Sequence, residues 1–207
     1  MSKLSISGIL IVLTATAFGF WRPASLITGS ANTTVDAGNI STLYALDPLL
    51  QSLCFAGGKP GHVVQDYEVR NSCSDLDFGN YHANSFSTGI EGGRLGVIVD
   101  LGDSGTLARE YRYQETVGGG QGFASLRLQS GKIVVLKDFK NHEVQELAET
   151  NVLFGKGGSN ASAVVKLGHL YLLRITDRFD TKFERLVKFM VVTFTPEQSV
   201  TIRWQLL

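Results

Sequence analysis

The clearest pattern of apolar and polar positions lies toward the C-terminus. Leu170, Leu172 and Arg174 alternate with Tyr171, Leu173 and Ile175, which is the period of a β-strand. A polar turn follows over residues 177–182, then an apolar run over 184–195 that ends at Pro196. In residues 199–206, Val200, Ile202, Trp204 and Leu206 share one face, and Thr201, Arg203 and Gln205 share the other. This predicts a three-strand antiparallel meander with Trp204 inside and Arg203 toward solvent.

Shorter strands are predicted over residues 63–70, 94–101, 109–115, 123–128, 132–137 and 162–167. Glycine pairs or triplets mark the breaks at Gly92-Gly93, Gly118-Gly119-Gly120 and Gly157-Gly158. Gly118–Gly122 has no P-loop lysine and no helix after it, so it reads as a hairpin or bulge. Two helices are predicted. One is short and begins at Asp47-Pro48, where proline is tolerated in the first turn. The other spans residues 141–154, with an Asn cap, Val144, Leu147 and Ala148 inward, and Glu143, Glu146 and Glu149 outside. Close strand spacing without long helices implies an all-β, antiparallel β-sandwich, jelly-roll-like, with one or two short helices.

The C-terminal segment resembles a pattern in uncharacterised exported bacterial β-rich proteins. The residues that carry it are Tyr171-Leu-Leu-Arg174, the run from Leu186 to Val192, Ser199-Val200 and Trp204-Gln-Leu-Leu207. The resemblance covers about a fifth of the chain. It implies a shared fold and no particular activity.

The N-terminus changes the picture of where the chain works. Lys3 precedes an apolar run that ends near Phe20, and small-x-small sites lie at Ala15-Thr16-Ala17, within it, and at Gly29-Ser30-Ala31, beyond it. Residues 1–31 read as a signal peptide or an N-terminal anchor, and residues 32–207 as a single β-sandwich domain. A membrane would be met only through residues 4–20, and only if they stay uncleaved. The expected location is secreted, periplasmic or cell-surface. Cys54 and Cys73 are the only cysteines and are expected to form a disulfide in an oxidising compartment. Asn32, Asn39 and Asn160 begin glycosylation acceptor triplets, which matter only in a eukaryotic secretory route.

The 207 residues carry 19 basic and 19 acidic side chains, for a net charge of zero. Loss of residues 1–31 would remove Lys3 and Arg22 and no acid, leaving about −2. That balance argues against a nucleic-acid partner.

Candidate chemistry is sparse. Asp75, Asp77 and Asn80 offer alternating oxygens beside a glycine in the Cys73 loop, so a structural Ca²⁺ is one expectation. No other cofactor is expected. Asp177 and Asp180 share that chemistry in the C-terminal turn. Tyr67, Tyr81, Tyr111 and Tyr113, with Phe86, are candidate aromatics for stacking on a ligand. Gly102-Asp-Ser104-Gly resembles the nucleophile loop of trypsin-like serine proteases, with His82 and Asp100 as formal partners. The sequence around His82 lacks the rest of that pattern. His142-Glu143-x-x-Glu146 lacks the second histidine of a helical zinc site. Asp66, Glu68, Glu91, Asp100 and Glu115 are candidates for paired carboxylates, and sequence does not pair them. The leading expectation is an exported non-catalytic module that binds a glycan, a cell surface or a protein partner. The alternatives are a self-assembling extracellular structural subunit and a polysaccharide-active enzyme.

Overall fold

The computed structural model describes residues 39–61, 73–111, 123, 125–138, 143–155 and 160–207. The signal or anchor segment, the strand expected over 63–70, the Gly118–Gly122 segment and His142 lie outside them. Among the described residues no helix is long and apolar enough to cross a membrane.

The chain is all-β, with antiparallel sheets and two short helices. In chain order the first strands are β1 (Asn39–Tyr44), β2 (Ser52–Cys54), β3 (Lys59–Pro60), β4 (Leu76–Phe78), β5 (Ser85–Ser87) and β6 (Arg94–Asp103). Helix α1 (Ser104–Tyr111) follows, then β7 (Leu126–Gln129), β8 (Lys132–Asp138) and β9 (Glu143–Glu146). Helix α2 (Ala148–Gly155), β10 (Ser162–Val164), β11 (His169–Asp177), β12 (Glu184–Thr195) and β13 (Ser199–Leu206) complete the order. A central sheet runs β1-β13-β12-β11-β6, an outer sheet runs β10-β5-β4-β2-β3, and a small sheet runs β7-β8-β9. The described residues fall in one compact unit.

The apolar alternation explains the layering. Tyr171, Leu173 and Ile175 of β11 join Phe189, Val200, Ile202 and Trp204 in a core shared with Leu53, Leu76, Phe78 and Phe86 of the outer sheet. Leu170 and Leu172 point the other way, with Val97, Val99 and Met190, and meet Leu126, Ile133, Val135, Leu147 and Phe154. The central sheet is therefore covered on both faces along β6, β11 and part of β12, which is why LYLL and FMVV are continuous apolar runs. The covering of the second face was not foreseen from the pattern. Asn160 O accepts the Ile98 N–H at 2.7 Å, so the chain before β10 bridges the edge of the central sheet to the outer one.

Aromatic contacts fix the first core. Tyr171 stacks on Phe189 at 5.1 Å, and Phe86 meets both rings edge-on at 5.6 and 5.2 Å. The buried Tyr171 hydroxyl donates to Val164 O at 2.9 Å and accepts the Lys166 N–H at 3.0 Å. Burial, with the nearby Asp100 charge, pushes its pKa up. Gly96 lies where β6 crosses the Thr88-Gly89 backbone. A Cβ there would collide with Thr88 Cγ2 and meet Gly89 N at 2.9 Å, so any side chain would force the two segments apart.

The predicted meander is present, with Trp204 buried. Its Nε1–H donates to Ser41 Oγ at 2.9 Å and ties β1 to β13. Ser41→Ala strands that N–H, and a loss of about 1–2 kcal/mol in urea unfolding is expected. A change within a few tenths would show that water replaces the hydroxyl.

Four expectations are corrected. Residues 109–111 belong to helix α1 rather than to a strand, because Asp103 Oδ1 caps the helix by accepting the Thr106 N–H at 2.8 Å. Residues 143–146 form strand β9 against β8, and the helix begins only at Ala148; Val144 is accordingly exposed. Residues 45–50 form turns, not a helix, and Leu46 and Leu49 are exposed. Arg203 is buried, its guanidinium 4.4 Å from the Phe123 ring centre, because the layer beyond the central sheet covers that face.

Candidate functional site

Among the described residues, a cleft forms where the small sheet and α2 meet the central sheet. Its volume is about 440 Å³, within the range of small-molecule sites. Leu128, Phe154 and Leu186 supply apolar lining, and Lys132, Glu146, Asn151, Arg174 and Glu184 supply polar groups. These residues come from β7, β8, β9, α2, β11 and β12.

The polar groups are held in pairs. Glu146 lies opposite Val134 in the β8–β9 ladder, and Lys132, at the start of β8, reaches it with Nζ donating to Oε2 at 2.8 Å. That bond lowers the Glu146 pKa against the opposing effect of desolvation, with the Lys132 charge and the Asn151 hydrogen bond adding to the lowering. Asn151 acts as a clamp. Its Oδ1 accepts the Ile133 N–H at 2.7 Å, and its Nδ2 donates to Glu146 Oε1 at 3.1 Å. On the opposite wall Arg174 Nε donates to Glu184 Oε1 at 2.7 Å, and Nη1 reaches Gly155 O at 3.4 Å at the C-terminal end of α2, where a cation is favoured. The result is two cation–carboxylate pairs beside an apolar surface. Such pairs keep unused donors and acceptors for a ligand.

The residues singled out from sequence lie elsewhere. Tyr81 is half-exposed and borders a shallow depression of about 260 Å³ with His82 and Ser87. Tyr67 and Tyr113 fall outside the described residues, and Tyr111 ends α1. Phe86 is in the core. Cys54 and Cys73 form a disulfide. Their sulfurs and an Asp75 oxygen lie within 4.8 Å of one another, but sulfurs bonded to each other are not thiolate ligands.

Asp75 and Asp77 have separate environments. Asp75 accepts from Arg185 Nη1 at 2.6 Å and from Phe55 N–H at 2.8 Å. Asp77 is fully buried, and its Oδ1 accepts the Asn80 N–H at 3.2 Å. Among the described residues its Oδ2 has no hydrogen-bond partner, nor has Asn80 Nδ2. Burial pushes the Asp77 carboxyl up to about 7, with the Asn80 N–H pulling the other way.

The formal hydrolase residues have other partners. Asp100 accepts from His169 Nδ1 at 2.8 Å, Lys166 Nζ at 2.9 Å and Gly102 N–H at 2.8 Å. Burial alone would raise its pKa, and these bonds outweigh it and lower it. Ser104 opens α1. Glu91 is buried beside Arg94, and burial raises its pKa more than Arg94 lowers it. Asp177 Oδ1 holds the C-terminal turn by accepting the Phe179 N–H at 2.7 Å.

The sequence reading missed Lys132, Asn151, Arg174 and Glu184, and it placed Glu146 on a helix. No local spacing marks them, since the cleft gathers residues from distant elements. No protein-family model, curated protein or solved structure matches the chain.

Proposed function

We propose that the chain is an exported, non-catalytic β-sandwich module that binds an uncharged or zwitterionic glycan in the cleft between α2, the small sheet and the central sheet. The observation that carries this reading is the pairing of Lys132 with Glu146 and of Arg174 with Glu184 beside Leu128, Phe154 and Leu186. A sugar ring presents hydroxyls that both donate and accept, and a C–H face that packs on apolar surface. Paired ions answer the first and the apolar lining answers the second. The formal charges of the two pairs cancel, which disfavours a polyanion. Glycoside hydrolysis needs a carboxylic acid kept protonated near neutral pH, and Glu146 is shifted the opposite way. Export is supported by the apolar N-terminal run behind Lys3, by the disulfide and by the resemblance of the C-terminal segment to exported bacterial proteins.

Isothermal titration and retention on insoluble polysaccharides test the reading. Arg174→Ala and Glu146→Gln are each expected to weaken binding about 10-fold or more, since each leaves a polar partner unpaired. Full retention by both variants, or no retention of the wild type on any glycan, would remove the proposal.

A second reading is self-assembly through β1. Among the described residues this strand, Asn39–Tyr44, lies at the edge of the central sheet; it has no charge and no proline, and it exposes Ile40 and Tyr44. Such an edge is open to pairing with another strand. Sedimentation separates the two: a monomer that holds glycan supports the first, and concentration-dependent oligomers lost in Ile40→Lys support the second.

A further inference from the structure

The outer sheet carries a polar row on the face turned away from the apolar core. The register places Ser52 opposite Asp77, and Asp77 opposite Ser87. Leu76 and Phe78 on either side of Asp77 belong to the core, so Asp77 points to the other face. That face is nonetheless closed: Asp77 is 0% exposed, Ser52 1% and Ser87 6%. Cross-strand neighbours on one face stand about 5 Å apart at Cβ, which places two serines beside one carboxylate; the Ser52 hydroxyl also hydrogen-bonds to Ser74 Oγ at 3.4 Å.

The chemistry of this pocket is incomplete. Asp77 Oδ2 and Asn80 Nδ2 are both buried and have no partner among the described residues. They belong to one local loop, since Asn80 N–H already donates to Asp77 Oδ1. Desolvating two polar groups without partners is costly. Lysine and arginine are absent from the ladder positions around Asp77. Asp75, two residues away, is committed to Arg185 and does not share the pocket's task. Ser87 also borders the shallow depression at Tyr81 and His82.

We propose that Asp77 and Asn80, with the hydroxyls of Ser52 and Ser87, bind a hard divalent cation of the Ca²⁺ class. Asp77 Oδ2 supplies the anionic ligand. A half-turn of the Asn80 amide exchanges its unpartnered nitrogen for an oxygen, at little steric cost. Neutral hydroxyls and water fill the remaining positions, as oxygen-rich sites for this ion allow. With one carboxylate the affinity falls in the range of extracellular modules, about 10⁻⁴–10⁻³ M. The ion would pin the β4–β5 loop to the outer sheet. This inference stands apart from the glycan reading, because the two sites share no residue.

Thermal unfolding of the full chain, stripped with EDTA and then titrated with CaCl₂ at pH 7.5, tests it. A rise of about 3–5 °C is expected at ten times the dissociation constant. Asp77→Asn should abolish the rise, and Asn80→Ala should weaken it at least about 5-fold in half-saturating Ca²⁺. Tyrosine-sensitised Tb³⁺ luminescence, displaced by Ca²⁺, gives a second readout in the wild type and in Ser87→Ala, which keeps the carboxylate. Equal melting in EDTA and 10 mM CaCl₂ with no displaceable Tb³⁺ signal would overturn the proposal. So would an undiminished Ca²⁺ response in folded Asp77→Asn, which would put the ion elsewhere. Glycan retention unaffected by EDTA would leave the cation site standing, so the two proposals fail separately.

Discussion

Asp75→Ala is expected to destabilise the protein by about 3–5 kcal/mol, because it removes one partner of a buried ion pair. Asp75 is 4% exposed and takes the Arg185 guanidinium, whose side chain is only 17% exposed, together with the Phe55 N–H. Truncation leaves both donors without their acceptor. The same guanidinium donates to Cys73 Sγ at 3.3 Å and lies 5.2 Å from the Phe183 ring centre, so its loss of anchoring would also loosen the disulfide corner. The pair itself is a different quantity from the cost of breaking it. A well-packed apolar replacement of both residues, Asp75→Leu with Arg185→Met, is expected to recover much of the loss. Urea unfolding of the two single variants and the double variant measures the coupling. A single-variant loss below about 1 kcal/mol would mean that water screens the pair as it does at a surface.

How much of this was legible depends on what decided each element. Strands β12 and β13 occupy the residues expected of them, because alternation and burial there act together. Strand β9 does not announce itself. Its four residues, Glu-Val-Gln-Glu, are all exposed, and their side chains favour helix. Main-chain pairing with β8 overrides that preference, and pairing leaves no mark in the residue pattern. The N-terminus of α1 did carry a signal, Asp103 three residues before Thr106. The alternation of Tyr111 and Tyr113 with Arg112 and Gln114 favoured the strand reading instead. Arg203 illustrates another limit. Its alternation with Ile202 and Trp204 correctly puts it on the opposite face of β13, but only the third layer decides that this face is covered. The same layer builds the cleft, where Lys132 and Glu184 lie on different sheets. Asp77 and Asn80 were visible as oxygen ligands in one loop. That Asp75 would be claimed by Arg185, far along the chain, was not.

Asp77 sets the second large expectation, one of opposite sign. Its carboxyl is raised by burial from 3.8 to about 7. The folded protein therefore binds this proton more tightly than the unfolded chain does. Well below pH 4 both states are protonated and ionisation of the group makes no contribution to stability. Between about pH 4 and 7 stability falls as the unfolded chain ionises first, and above pH 7 the full penalty stands. A rise from 3.8 to about 7 corresponds to about 4 kcal/mol. Asp77→Asn removes the charge and adds an N–H that needs its own partner, at about 1–3 kcal/mol. In EDTA at pH 8 the variant is thus expected to be more stable than wild type by about 1–3 kcal/mol, with the advantage gone near pH 4. Urea unfolding across that range checks the sign. A variant less stable than wild type at pH 8 would mean that the carboxylate is already compensated in the folded protein. A cation bound at this carboxylate, as proposed above, would neutralise it and offset that penalty. Ca²⁺ should then close the gap: with the ion present, the wild type is expected to regain stability and Asp77→Asn to gain none.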